Sequence, residues 1–367
     1  MTTLEDVARL AGVSRNSVSL VVQGKDLKKV SRENRARILE AIEKIGYRPN
    51  LFARGLTKGQ SHLVALICST EAEAFMRLHF SQLLEGIESA TRQYGYSLVV
   101  AVSQKNRQGS LDFTQFDSGF VDGFITAETD IYYRPVGRQT RKGRPIIMVR
   151  NLFSEDIDCV GIDNVYWASV ATNHMLKLGH RRIGFAAEFN HPEGLQRVEG
   201  WRQAMTAAGL PWDPRYVAQA RFFSHGECVN AAAKLLDCPR PPTAVVCAND
   251  FIASVIIQEA LKRGMAVPND LAVIGFDDDI MAATSNPLLT SVRQPFREMG
   301  FQAAKRLIER IENPDLPVAK ILIPAELVIR DSCGAKAAPA PRDGKDSPRK
   351  ASARRRVLEQ MRAQRPS

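Results

Sequence analysis

The hydrophobic positions of this chain follow two rhythms. At the start, Leu4, Val7, Ala8 and Ala11 recur at helical spacing, Gly12 and Val13 interrupt the repeat, and Val18, Val21 and Val22 resume it. The spacing predicts two short helices joined at a glycine turn, a helix-turn-helix. Ser14 is expected to cap the second, because its hydroxyl can accept a backbone N–H that has no helical partner. With the valines turned inward, Arg15, Asn16, Ser17 and Ser19 point outward from the first turns, where a helix reaches base edges in a major groove. The turn taken alone fits any small helical domain equally well. Ser31 to Asn50 predicts a third helix, capped by Ser31, with Ala36, Leu39, Ile42 and Ile45 on one face, Arg32, Arg35 and Arg37 near its start and Gly46 at its end.

From Ser61 the rhythm changes. SHLVALIC is a continuous apolar run, typical of a strand buried on both faces, and a helix through FSQLLEGIESATRQYG and a strand SLVVAV follow it. The strands FVDGFIT, RPIIMV, DCVGID, RRIGFAA, TAVVCA and LAVIGFD come next, with helices at WASVATNHMLKLG, GWRQAMTAAG and IASVIIQEALKRG. Such alternation implies parallel sheets covered by helices, and about 270 residues of it are most easily built as two similar lobes. The expected class is α/β, with an all-α headpiece ahead of a two-lobed body.

Composition adds where the charge sits. The chain has 367 residues and 44% hydrophobic content, enough for several domains at roughly 100 to 200 residues each. Its net charge of +10 is uneven: residues 1–60 hold 12 Lys and Arg against 6 Asp and Glu, residues 333–367 hold 10 against 3, and the stretch between them nets −3. Basic ends suit phosphates and counterion release; a near-neutral body suits another task. The tail after Cys333 is rich in Ala, Pro, Ser and Arg, so disorder is expected there. Its Arg354–Arg356 cluster either adds sequence-independent attraction to DNA or serves solubility. The six cysteines show no CxxC and no Cys/His pairing, hence no metal signature, and reduced thiols are expected. The first residues read as a charged helix and not an apolar leader, and no run of eighteen apolar residues occurs, so a cytoplasmic protein without a membrane segment is expected.

Four short motifs in order over about sixty residues, VARLAGVS, VSRENRARI, IGYRPN and ARGL, with LGHRRIGF, ANDFIA and AVIGFDDD later on, resemble the lactose/galactose repressor (LacI/GalR) family. The likeness implies a DNA-binding headpiece over 1–49, a hinge helix or linker over 50–60, a periplasmic-binding-protein-like effector-binding and dimerisation domain over 61–332, and a basic tail over 333–367. It implies a homodimer, or a higher oligomer, on a near-palindromic double-stranded DNA operator. DNA contacts then fall on Thr3, Ser14, Arg15, Asn16, Ser17, Leu20 and Tyr47, and in the hinge on Asn50, Ala53, Arg54 and Leu56. Pro49 stops the third helix and Asn50 can cap a short new one, marginal in water at this length and weakened by Gly55. In the family this segment orders when two copies pair in the minor groove and push a leucine between base steps, by position Leu56; packing of Leu56 against the body is the other reading. Gly55 stands where serine or alanine is more usual, so Gly55→Ala is expected to tighten operator binding. Where the family often has Arg or His, Leu20 can touch a thymine methyl and cannot donate to guanine N7.

The same resemblance places an effector site in the loops beyond the carboxyl ends of the strands. Asp277 can accept two hydroxyls. Arg197 offers a guanidinium fork to the same hydroxyls or to an anionic group, and Asn249 supplies a donor and an acceptor. A salt bridge between lobes is the other reading of Arg197 and Asp277. Phe223 falls where an aromatic ring stacks on the ligand, or else belongs to the core. His79 and Phe80 match a position where the family carries an aromatic pair, and Asp163 in GIDN joins the set. The preceding STEAEAFMRLHF is longer than the usual form and lacks its Asn-Pro pair, which alters the ligand mouth. Asp278 and Asp279 are expected to be solvated. No GxSxG, HExxH or GxxxxGK[ST] occurs, so no enzyme and no cofactor are implied. The expectation is a repressor controlled by a small effector of sugar type; an effector-responsive activator, or a solute-binding sensor without DNA specificity, is the alternative.

Overall fold

The computed structural model describes residues 2–24, 27–47, 60–69, 78–103, 120–126, 144–150, 152, 156–222 and 224–335. The hinge positions Asn50, Ala53, Arg54, Gly55 and Leu56, the ring of Phe223 and the tail from residue 336 lie outside the described residues.

Three helices form the headpiece. α1 (Leu4–Ala11) opens on a reciprocal cap in which the Thr3 hydroxyl accepts the Asp6 N–H at 3.3 Å and the Asp6 carboxylate accepts the Thr3 N–H at 3.0 Å. Gly12 closes it at φ 65°. Ser14 caps α2 (Arg15–Gln23) by accepting the Ser17 N–H at 3.1 Å, and Ser31 caps α3 (Arg32–Ile45) by accepting the Asn34 N–H at 3.2 Å, both as the sequence predicted. The helices enclose Val7, Ala11, Val18, Val21, Ile38, Ala41 and Tyr47. The inward face of α3 differs from expectation: Ile38 and Ala41 are buried, Ile42 and Ile45 half-buried, and Ala36 and Leu39 exposed. Three residues advance roughly 300° around a helix, so a string of three-residue steps turns about 180° away over nine residues and cannot hold one face.

The body alternates as predicted. The first lobe contains β1 (Leu63–Ser69), α4 (Leu78–Gln93), β2 (Ser97–Ser103), β3 (Gly123–Thr126), β4 (Ile146–Val149) and β5 (Asp158–Gly161). Then come α5 (Asn164–Lys177), β6 (Ile183–Ala187), α6 (Pro192–Ala207), β7 (Val217–Gln219), α7 (His225–Leu236), β8 (Ala244–Cys247), α8 (Asp250–Lys262), β9 (Ala272–Asp277), α9 (Ile280–Thr284) and β10 (Thr290–Arg293). The chain finishes with α10 (Phe296–Glu312), β11 (Lys320–Leu322) and β12 (Glu326–Val328). Two six-stranded sheets result, ordered β11-β5-β4-β3-β1-β2 and β12-β10-β9-β8-β6-β7. Among the described pairings all are parallel except β10 with β12. Strands β3, β4, β5, β6, β8 and β9 are buried along their whole length, as expected of largely apolar parallel strands covered on both faces.

The two sheets share one strand order, and the chain passes between them more than once. It leaves the first lobe after β5 to place α5 against α6, returns after β10 to lay α10 along α4, β3, β4 and β5, and crosses again between β11 and β12. α4 and α10 approach through glycines: a Cβ on Gly86 would stand 1.9 Å from the Arg297 carbonyl oxygen, and one on Gly300 would stand 2.2 Å from that of Leu83. All six cysteines are free, and no described helix is long and apolar enough to cross a membrane.

Candidate functional site

Arg197 is the centre of a polar cluster at the carboxyl ends of the second sheet. It faces inward from α6, 4% exposed, with its guanidinium carbon 3.7 Å from the centre of the Phe276 ring. Its Nε donates to Asn164 Oδ1 at 2.8 Å, and one terminal nitrogen donates to the Ala248 carbonyl oxygen. The same nitrogen stands 3.9 Å from Asp277 Oδ1, close enough for Coulomb attraction and too far for a hydrogen bond. Burial draws the Arg197 pKa down to about 10; Asp277 opposes the shift and the charge of Arg150 adds to it. Asp277 Oδ1 also accepts from Gln294 Nε2 at 2.5 Å, where the chain leaves β10 for α10. Asp277 holds φ 105°, a region that favours glycine, so its backbone is forced into place by what surrounds it. Both Arg197 and Asp277 belong to the second lobe, so a salt bridge between lobes is excluded as the reason for either.

The other expected ligand residues divide. Asn249 is buried, but its Oδ1 caps α8 by accepting the Ile252 N–H at 2.8 Å, so Nδ2 is the group left to meet a ligand. Asp163 is an exposed cap of α5, accepting the Tyr166 N–H at 2.8 Å, and its neighbour Asn164 is the residue that reaches Arg197. Phe80 is 8% exposed, in the core cluster that also holds Leu83 and Phe296. His79 stacks on Phe296, centroids 4.8 Å apart, and its Nε2 lies 3.3 Å from a terminal nitrogen of Arg150. Asp278 and Asp279 are not solvated: Asp278 Oδ2 pairs with Arg293 Nε at 2.7 Å, and Asp279 caps α9 through the Met281 N–H at 2.7 Å.

Asn164, Gln294 and Asp250 were not anticipated. Asp250, next to Asn249, is fully buried, accepting the Ser291 hydroxyl at 2.6 Å and the Asp279 N–H at 2.8 Å. Burial, then the nearby Asp277, pushes its carboxyl pKa well above the ordinary range. Asn164 stood one residue along from the acid that was singled out, and nothing in GIDN tells a cap from the residue behind it.

On the headpiece, Arg15 and Asn16 are exposed at the start of α2, as a base-reading helix needs. Thr3, Ser14 and Ser17 are drawn into caps; the Ser14 and Ser17 hydroxyls lie 2.9 Å apart. Leu20 is half-buried against the headpiece core. Tyr47 is 9% exposed in that core, where burial raises its phenol pKa.

Residues 3–50 match the bacterial regulatory proteins of the lacI family, and residues 172–333 match the periplasmic binding protein-like domain. Over 334 residues the chain is 31% identical to the HTH-type transcriptional repressor CytR of Escherichia coli (strain K12), covering 90% of this chain and 96% of that one. It is similar to the transcriptional regulator CelR in its cellobiose complex, with 29% identity, TM-score 0.68, and 90% and 100% of the two chains covered. A lac repressor dimer bound to operator and an anti-inducer shares the fold at TM-score 0.79 and 23% identity, covering 91% and 99%.

Proposed function

The chain belongs to the LacI family of bacterial regulatory proteins and is a DNA-binding transcriptional regulator, not an enzyme; on that premise we propose that it is a repressor whose operator affinity is set by a sugar or sugar derivative held at Arg197 and Asp277. The observation that carries the ligand site is the 3.9 Å separation of that buried pair. A hydroxyl between them can donate to the carboxylate and accept from the guanidinium, closing contacts the two groups do not make with each other. The cellobiose bound by CelR supports a ligand of this kind.

The division of labour follows the sequence: a headpiece over 1–49, a linker over 50–60, an effector and dimerisation domain over 61–332 and a basic tail over 333–367, all in the cytoplasm. Two headpieces of a homodimer read the halves of a near-palindromic operator, with Arg15 and Asn16 leading each recognition helix and Leu56 wedging a base step. Ligand at Arg197 and Asp277 biases the relation of the lobes and, through it, the spacing of the linkers.

Thermal shift on the full chain against sugars, sugar acids and nucleosides tests the site. A responding compound is expected to lose its effect in both Arg197→Ala and Asp277→Asn, while both variants still bind operator. A response unchanged in both would move the ligand elsewhere.

A further inference from the structure

The shared strand order gives each position in one lobe a counterpart in the other. β5 pairs with β4 from Asp158↔Ile147 onward, and β10 pairs with β9 from Thr290↔Ile274 onward. Aligning the first residues of β5 and β10 sets Arg150 of the first lobe on Asp277 of the second. Both hold left-handed backbones, φ 74° and φ 105°, which L residues avoid unless their surroundings impose them. For Arg150 the surroundings are plain. Its N–H donates to the Val160 carbonyl at 2.7 Å, and Gly161 packs so closely that a Cβ there would stand 3.2 Å from the Arg150 carbonyl group. Strain of this sort gathers at ligand clamps.

Among the described residues the Arg150 side chain has no counter-charge. A terminal nitrogen meets His79 Nε2 at 3.3 Å, the guanidinium lies 5.8 Å from the centre of the Phe296 ring, and Nε is buried without a hydrogen-bond partner. A ring nitrogen and an aromatic face orient a cation without neutralising it, and a buried guanidinium nitrogen left unbonded is costly. The carboxylates around Arg197, namely Asp277, Glu193 and Asp250, all belong to the second lobe; among the described residues none pairs with Arg150. Its charge helps depress the Arg197 pKa, after burial, and the shared strand order sets Arg150 and Asp277 at matching strand ends of the two lobes.

We propose that the effector carries an anionic group, a phosphate or a carboxylate, bound by Arg150 in the first lobe while its hydroxyls take Arg197 and Asp277 in the second. This rests on the ligand site assigned above and adds to it the class of ligand. A bidentate guanidinium–oxyanion contact supplies the missing counter-charge and ties the lobes together through one molecule.

Isothermal titration of the full chain at fixed salt, with matched sets, tests this: a hexose, its 6-phosphate and its uronic acid; a nucleoside and its 5′-monophosphate; and inorganic phosphate alone. In one set an anionic member is expected to bind at least about tenfold more tightly than its neutral parent. The phosphate and carboxylate arms identify which anion is read. In Arg150→Gln that member falls to the affinity of its parent, the parent itself is unaffected, and Arg150→Lys keeps part of the preference. Operator binding by each variant checks its fold. A neutral parent that binds as well as every anionic derivative, or a preference that survives in Arg150→Gln, overturns the anion assignment and leaves the Arg197 site standing. If no compound binds, the ligand site falls and the anion assignment with it.

Discussion

Arg197 draws its leverage from burial. Taken out of water and laid on Phe276, its planar fork meets Asn164 and Ala248 in a fixed geometry that an ammonium cannot reproduce. Arg197→Lys is therefore expected to weaken effector binding by roughly tenfold to a hundredfold in calorimetry, the worth of one or two charged hydrogen bonds, with operator affinity in the absence of effector little changed. Asp250 contributes a pH dependence whose sign is fixed by its raised pKa. The folded state holds that proton more tightly than the unfolded state, so the stability it contributes is present below the ordinary value of 3.8 and is lost as pH rises through the elevated folded value. Asp250→Asn should flatten the melting temperature across that window; an unchanged profile would assign the dependence elsewhere. On the headpiece, Leu20 is half-buried against the core, and Leu20→Arg should alter the bases preferred in operators selected from random DNA. An unchanged consensus would show that this position does not face the groove. Arg197, Asp277 and Asn249 were legible through the family resemblance; Asp277 ends β9 and Asn249 follows β8, while Arg197 lies within α6 and follows no strand end directly. Arg150 was not legible, since its meaning lies in a backbone angle and in having no carboxylate partner among the described residues.

The elements were legible where pattern and punctuation agree. Ser14, Ser31, Gly12 and Gly46 marked helix ends that the structure keeps, because cap chemistry is local. Ser14→Ala should cost about 1 kcal/mol of headpiece stability in thermal melts. The face of α3 was misread because evenly spaced apolar residues drift around a helix, leaving Leu39 exposed. α10, β11 and β12 were not anticipated: the two strands have three residues each, too few for a periodicity, and the helix follows a strand of one lobe yet packs on the other. That packing depends on two glycines. Gly300→Ala forces a Cβ against the Leu83 carbonyl and should lower stability by about 1 to 3 kcal/mol in denaturant unfolding. A neutral outcome would mean that α4 and α10 can separate freely.

At the scale of the molecule, the polar cluster and the crossings between lobes meet. Gln294 ties Asp277 to the crossing that leads into α10, and Arg293 at the end of β10 pairs with Asp278 at 2.7 Å and with Glu326 of β12 at 3.1 Å. Asp277 thus sits beside the segments that cross between the lobes, where the ligand proposed for it would be placed to act on a switch. The alternation of strands and helices announced two similar lobes, while the crossings that join them are long-range events no local pattern records. The most direct test of the account is operator binding by the full chain, measured by fluorescence anisotropy on a selected near-palindromic site and on bulk DNA, with and without the effector. The account predicts clear preference for the selected site and a change of roughly fivefold to 150-fold on adding effector, abolished in Arg197→Ala. Equal affinity for both DNAs under every condition would contradict it.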